Sequence, residues 1–119
     1  MKIAGIGFRA DAPVASLREA LEMVGPADGL ATIMPKAAAD VIVTLAQELN
    51  LPLLPVTEAQ IQGQNTLTQS PRIQARFGTG SLAEAAALAA AGPGARLLGP
   101  RKISTDGMAT AAIAEGPET

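Results

Sequence analysis

Apolar stretches of two different periods alternate along this chain, and that alternation limits the folds open to it more than any other feature. Ile3 to Phe8 is a short apolar run punctuated by Gly5 and Gly7, which reads as a buried first strand. Asp11-Ala12-Pro13 then starts a helix, and Val14, Leu17, Leu21 and Val24 recur at helical spacing until Gly25-Pro26 stops it. Leu30 to Met34 is a second strand ending at Pro35. Ala37 to Leu49 is a second helix with Asn50 as its left-handed cap, and Leu53 to Val56 is a short third strand between prolines. Thr57-Glu58-Ala59-Gln60 fits a capping box before a brief helix, and Ser70-Pro71 opens another that ends at Gly78. The polar segment Gly63 to Gln69 has no assignable element. Leu82 to Ala91 is a helix made mostly of alanine, narrow enough to pack close to its neighbours, and Arg96 to Leu98 and Met108 to Ala114 supply the last strands. This order predicts an α/β fold: a single three-layer domain with a mostly parallel sheet of about five strands and helices on both faces. The 119 residues suffice for one such domain, placed at 1–115, with a disordered tail expected at 116–119.

The residue inventory then narrows the chemistry. The chain has no His, Cys, Trp or Tyr and only two aromatic residues, Phe8 and Phe77. The usual nitrogen and sulfur ligands of zinc, copper, iron–sulfur and haem sites are therefore missing, as are the members of His- or Cys-based triads. No metal site and no cofactor is expected. Base stacking on several exposed rings is ruled out as well. A net charge of −2 argues against nucleic acid as a partner. No apolar run approaches the roughly 18 to 20 residues that span a bilayer, and nothing at the amino terminus reads as a signal peptide, so neither a membrane nor export is expected and the cytoplasm is the default location.

In open α/β sheets, ligands bind beyond the carboxyl ends of the strands, which directs attention to the turns that follow them. Gly7, Phe8 and Arg9 close the first strand, Lys36 follows the second, and Arg101 and Lys102 follow the fourth. Basic residues recur there although the chain is acidic, and convergent turns would form a cationic pocket for an anionic molecule. For Lys36, Arg101 and Lys102 taken alone, an ordinary solvated loop position is the competing reading. Gly78-Thr79-Gly80-Ser81 is the strongest single feature. Its glycines allow close backbone approach, and the alanine-rich helix behind it presents unpaired N–H groups to an anion. Ser81 and Glu84 also match an ordinary Ser-x-x-Glu capping box, which would leave the N–H groups of Leu82 and Ala83 free. Gly5 to Ala10 matches G-x-G-x-x-G/A on paper, but the helix starts too late and no acidic residue ends the second strand. Tight helix packing over Gly5 and Gly7 is the favoured reading.

Together these stretches resemble the stand-alone CobE proteins and the matching carboxy-terminal domain of CbiG, a family of cobalamin (corrin ring) biosynthesis. Gly78-Thr79-Gly80-Ser81-Leu82-Ala83-Glu84 is similar to the family's G-T-G-S-V-A-E, followed by Ala86 to Leu88 and the Gly92-Pro93-Gly94 break. Gly5-Ile6-Gly7-Phe8-Arg9 stands for G-I-G-C-R, Ala31-Thr32-Ile33 with Lys36 for A-T-I-x-x-K-A, and Ala109 to Ala114 for the final strand. Arg101-Lys102 falls near the family's basic residues before that strand. Phe8 replaces a typical Cys, Met34-Pro35 replaces Asp-Leu, and Ala85 replaces a Pro, so a thiol-dependent mechanism is not open to this chain.

The resemblance implies a protein that binds or helps process a polycarboxylate corrin or precorrin intermediate, with other enzymes of the corrin pathway as further partners. In CbiG the associated reaction is hydrolytic lactone opening. For a hydrolase of that kind built from this chain, the base must be a carboxylate or an indirectly activated water, and Glu84 is the nearest candidate, against which its capping position argues. The expected substrate-binding residues are Gly7, Phe8, Arg9, Lys36, Gly78, Thr79, Gly80, Ser81, Arg101 and Lys102. The alternative is a nucleotide-binding or protein-interaction module on the same scaffold.

Overall fold

A computed structural model describes residues 1–117. Three strands, β1 (Lys2–Phe8), β2 (Gly29–Ile33) and β3 (Leu53–Val56), pair in parallel, with β2 and β3 each reached through a helical crossover. The long final strand β6 (Ala109–Glu115) lies antiparallel to β1 along its whole length. Two short strands, β4 (Arg96–Leu97) and β5 (Lys102–Ile103), share the outer edge of β6. The sheet order is β3-β2-β1-β6-β4, with β5 beside β6. The parallel strands are those read from the sequence, and the carboxyl-terminal strands extend them into a mixed sheet. β5 is additional: it exists only through its long-range pairing with β6, which no local periodicity announces.

Helices cover both faces. α1 (Val14–Val24) and α2 (Asp40–Leu49) set Leu17, Leu21, Ile42 and Leu45 against Ala4, Ile6, Leu30 and Ile113. On the opposite face, α5 (Leu82–Ala91) packs Ala85 and Ala86 with Ile3, Ala31, Ile33, Val56 and Ile61, the last of these from the short helix α3 (Glu58–Ile61). The alternation of side chains along β1 explains this division, since Ala4 and Ile6 point one way while Ile3 and Gly5 point the other. Gly5 is required here. A Cβ at that position would lie 1.9 Å from the Ala83 carbonyl oxygen and 2.6 Å from the Ala87 nitrogen, so α5 rests directly on the strand backbone.

Local signals act where they are strong. Asn50 ends α2 in the left-handed conformation at φ 55°, and Thr57 and Gln60 form both halves of a capping box. The Ser70 hydroxyl accepts from the Ile73 N–H at the start of α4 (Pro71–Phe77), and Gly78 caps its other end at φ 72°. Two starts differ from expectation. α1 begins only at Val14, with no side-chain cap, and residues 36–38 form a single 3-10 turn before α2 begins at Asp40. Ala37 to Ala39 offer no capping oxygen, whereas Asp40 places an acidic group in the first turn, where the helix dipole favours it. Of the expected disordered tail, Gly116 is buried and its N–H donates to the Met1 carbonyl, and residues 118 and 119 lie outside the described residues. No helix among the described residues is long and apolar enough to cross a membrane.

Candidate functional site

A basic cleft opens where β1 ends and β6 begins. Gly7, Phe8 and Arg9 form one wall, Ser70, Arg72 and Ile73 of the α4 start form another, and Arg101, Ile103 and Met108 close the edge. Leu82, the first residue of α5, also lines it, and the cleft encloses about 440 Å³. Its charge is one-sided: three arginines and no carboxylate line it. None of these arginines is ion-paired among the described residues, where the ion pairs are Arg18–Glu48 and Arg96–Glu115. Guanidinium groups with open donors around a partly apolar cleft suit a molecule with several carboxylates and an apolar body.

The cleft collects some of the expected residues and leaves out others. Gly7, Phe8, Arg9 and Arg101 line it. Lys36 stands behind Phe8, where its Nζ donates to the Phe8 carbonyl at 3.0 Å and lies 4.8 Å from the ring centroid. That bond ties the turn after β2 to the end of β1. Lys102 lines a separate groove with Met23, Leu98 and Pro100, because adjacent residues of an extended segment point to opposite faces of the sheet.

The Gly78–Ser81 turn sits under the segment that had no assigned structure. A Cβ on Gly80 would come within 2.4 Å of the Thr68 carbonyl oxygen, so this glycine admits the chain's own backbone, and the Ser70 N–H bonds the Gly80 carbonyl at 2.9 Å. Thr79 and Ser81 are buried, and the Thr79 hydroxyl has no hydrogen-bond partner among the described residues. Arg72 lines the cleft from a helix start, where the rule about strand ends does not look. A usable signal was present: a cation in the first turn of a helix opposes the dipole, and such local conflicts often mark function.

Glu84 departs most from its expected geometry. The Ser81 hydroxyl accepts from the Glu84 N–H at 3.3 Å, which is half of the expected capping box. The carboxylate does not return to Ser81. Fully buried, it accepts from the N–H groups of Leu67 and Thr68 through Oε1, and from the Thr68 hydroxyl and the Arg101 N–H through Oε2. Burial pushes its pKa up, but the four hydrogen bonds outweigh burial and hold the carboxyl below the ordinary glutamate range. A carboxylate so engaged organises loops and is out of reach of a substrate in the cleft.

The far rim is fixed in a similar way. Asp106 accepts from the hydroxyls of Ser104 and Ser16 and from the Met108 N–H, while Glu19 accepts from Thr105, tying the loop before β6 to α1.

The family described as "Cobalamin synthesis G C-terminus" matches residues 2–114. Among solved structures, CobE, a protein from the cobalamin (vitamin B12) biosynthetic pathway, is 32% identical with a TM-score of 0.83, over 96% of this chain and 89% of that one. Cobalamin biosynthesis protein chiG from Agrobacterium tumefaciens str. C58 is 33% identical with a TM-score of 0.73, over 99% of this chain and all of that one. A proposed cobalamin biosynthesis protein G homologue from Sulfolobus solfataricus shares the fold at 21% identity and a TM-score of 0.70, over 95% of this chain and 36% of that longer one. No functionally curated protein sequence matches the chain.

Proposed function

On the premise that this chain belongs to the cobalamin synthesis G C-terminus family and is a protein of cobalamin biosynthesis, we propose that it binds a polycarboxylate corrin or precorrin intermediate in the cleft at the end of β1. The observation that carries this reading is the ring of Arg9, Arg72 and Arg101 around a cleft that no acidic residue lines. In the proposed complex the guanidinium groups take the acetate and propionate arms, while Phe8, Leu82, Ile103 and Met108 cover an apolar edge of the macrocycle. The side chains on the cleft are suited to holding arms. None of them is a carboxylate, imidazole or thiol that could take a proton at neutral pH, so the reading is of a binding protein that presents its ligand to other enzymes of the pathway. Gly78 to Ser81 act in it as the support on which α5 and α4 are set, with Lys36 bracing Phe8.

The test is a titration with cobyrinic acid, a corrin whose arms are free carboxylates, followed by the visible absorption of the corrin, with its methyl-esterified counterpart as control and thermal unfolding with each corrin or ATP as a second readout. The free acid is expected to bind at micromolar concentration or tighter, and replacing Arg72 or Arg101 by Ala is expected to weaken it about tenfold each. No binding of the acid, or stabilisation by ATP alone, would overturn the proposal.

A further inference from the structure

The edge strand beside β6 is broken at one place. Its register runs Arg96 to Glu115 and Leu97 to Ala114, then resumes at Lys102 to Ala111, so four residues (98–101) stand opposite two (112 and 113). Leu98 still bonds the Ile113 carbonyl, and Pro100 has no N–H to give. The Arg101 N–H leaves the ladder and donates to the buried Glu84 Oε2 at 2.9 Å. Bulges of this kind redirect a side chain, and here the residue at the end of the bulge lines the cleft while its neighbour Lys102 lines another groove. We propose that Glu84 is the positioning residue for Arg101: its carboxylate holds the bulge away from the sheet edge and thereby sets the Arg101 guanidinium in the cleft. The other three hydrogen bonds, from Leu67 and Thr68, fix the carboxylate itself against the segment leading to Ser70 and Arg72. One buried charge therefore ties both basic walls to the first turn of α5.

The inference rests on the binding proposal for its consequence but not for its geometry, and the test separates the two. Glu84→Gln is nearly isosteric. Its amide oxygen can still accept from Leu67 and Thr68, but an NH₂ then faces the Arg101 N–H, which loses its acceptor. By amide hydrogen exchange, Arg101 is expected to be protected in the wild-type protein and to exchange about tenfold faster or more in E84Q, with β1 and β6 unchanged. For cobyrinic acid, E84Q is expected to bind about tenfold more weakly, and less than about twofold more weakly when Arg101 is already Ala. A merely structural role would leave the two substitutions additive. Additive losses, or an Arg101 amide unprotected in the wild type or unchanged in E84Q, would overturn the inference. Failure of the wild type to bind would overturn the binding proposal alone, since the exchange measurement needs no ligand. Should E84Q not fold, Thr68→Val removes one donor to Oε2 and is expected to speed Arg101 exchange roughly threefold; no change there would equally overturn it.

Discussion

On one face of the sheet, Leu17, Leu21, Ile42 and Leu45 fill the space under α1 and α2 with large aliphatic side chains. On the other, α5 brings Ala83 and Ala87 down onto β1, where Gly5 has no side chain at all, with Ala85 and Ala86 packed into the core beside them. Both are apolar cores, but they do different work. Large side chains fill volume and tolerate repacking, whereas a backbone resting on a backbone fixes position. The face with the small residues is the one whose helix start lines the cleft and carries Glu84. Precision there is what allows one carboxylate to reach two loops.

Gly5→Ala should disturb the small-residue face most. The new methyl would meet the Ala83 carbonyl and the Ala87 nitrogen, both main-chain atoms that cannot turn aside. Urea unfolding should show a loss of at least about 3 kcal/mol, at the upper end for overpacking. A loss under about 1 kcal/mol would mean that α5 can lift off the strand.

Acid comes next. The folded-state pKa of Glu84 lies below the ordinary glutamate value of 4.5, and that of Asp106 lies below the ordinary aspartate value of 3.8, held down by the hydroxyls of Ser104 and Ser16 and the Met108 N–H. The unfolded chain therefore takes up these protons first. Stability is full at neutral pH and falls as pH drops below about 4.5 and on through the depressed folded values. Urea midpoints measured between neutral pH and acid should follow this course in the wild type and fall less steeply in E84Q, with Asp106 supplying the residual slope.

The opposite face answers more mildly. Ile42→Val removes one methylene from the volume-filling core and should cost about 1 kcal/mol in the same urea assay. Its affinity for cobyrinic acid should not change. The smallest effect is expected at Thr79, whose buried hydroxyl has no partner among the described residues. Thr79→Val should be neutral or stabilising by up to about 1 kcal/mol in thermal or urea unfolding, because the methyl removes an unsatisfied polar group. Clear destabilisation would show that the hydroxyl has a role in the folded chain.

How far the sequence could be read depends on the range of the interactions. The α/β order, the Asn50 cap, the Thr57 box and the Ser70 cap are announced by residues within one turn of each other, and all are present. Arg9 and Arg101 were reached by a rule about strand ends that needs only the order of elements. Lys36 and Lys102 follow the same rule and miss the cleft, one because its ammonium turns back to the Phe8 carbonyl, the other because its neighbour takes the cleft-facing direction. Glu84 was the least legible residue. Ser-x-x-Glu is a valid local pattern, but the partners of its carboxylate, Leu67, Thr68 and Arg101, lie 16 or 17 positions away on either side. Only tertiary structure brings these donors to one side chain.

The central claim is that the arginine cleft is where a corrin polycarboxylate binds, and mapping backbone amide shifts during a titration with cobyrinic acid tests it most directly. Binding there should concentrate the shifts at Phe8, Arg9, Arg72, Arg101, Met108 and Thr110 and leave the groove around Met23 and Leu98 undisturbed. Saturable shifts centred on that groove, or none anywhere on the chain, would contradict it.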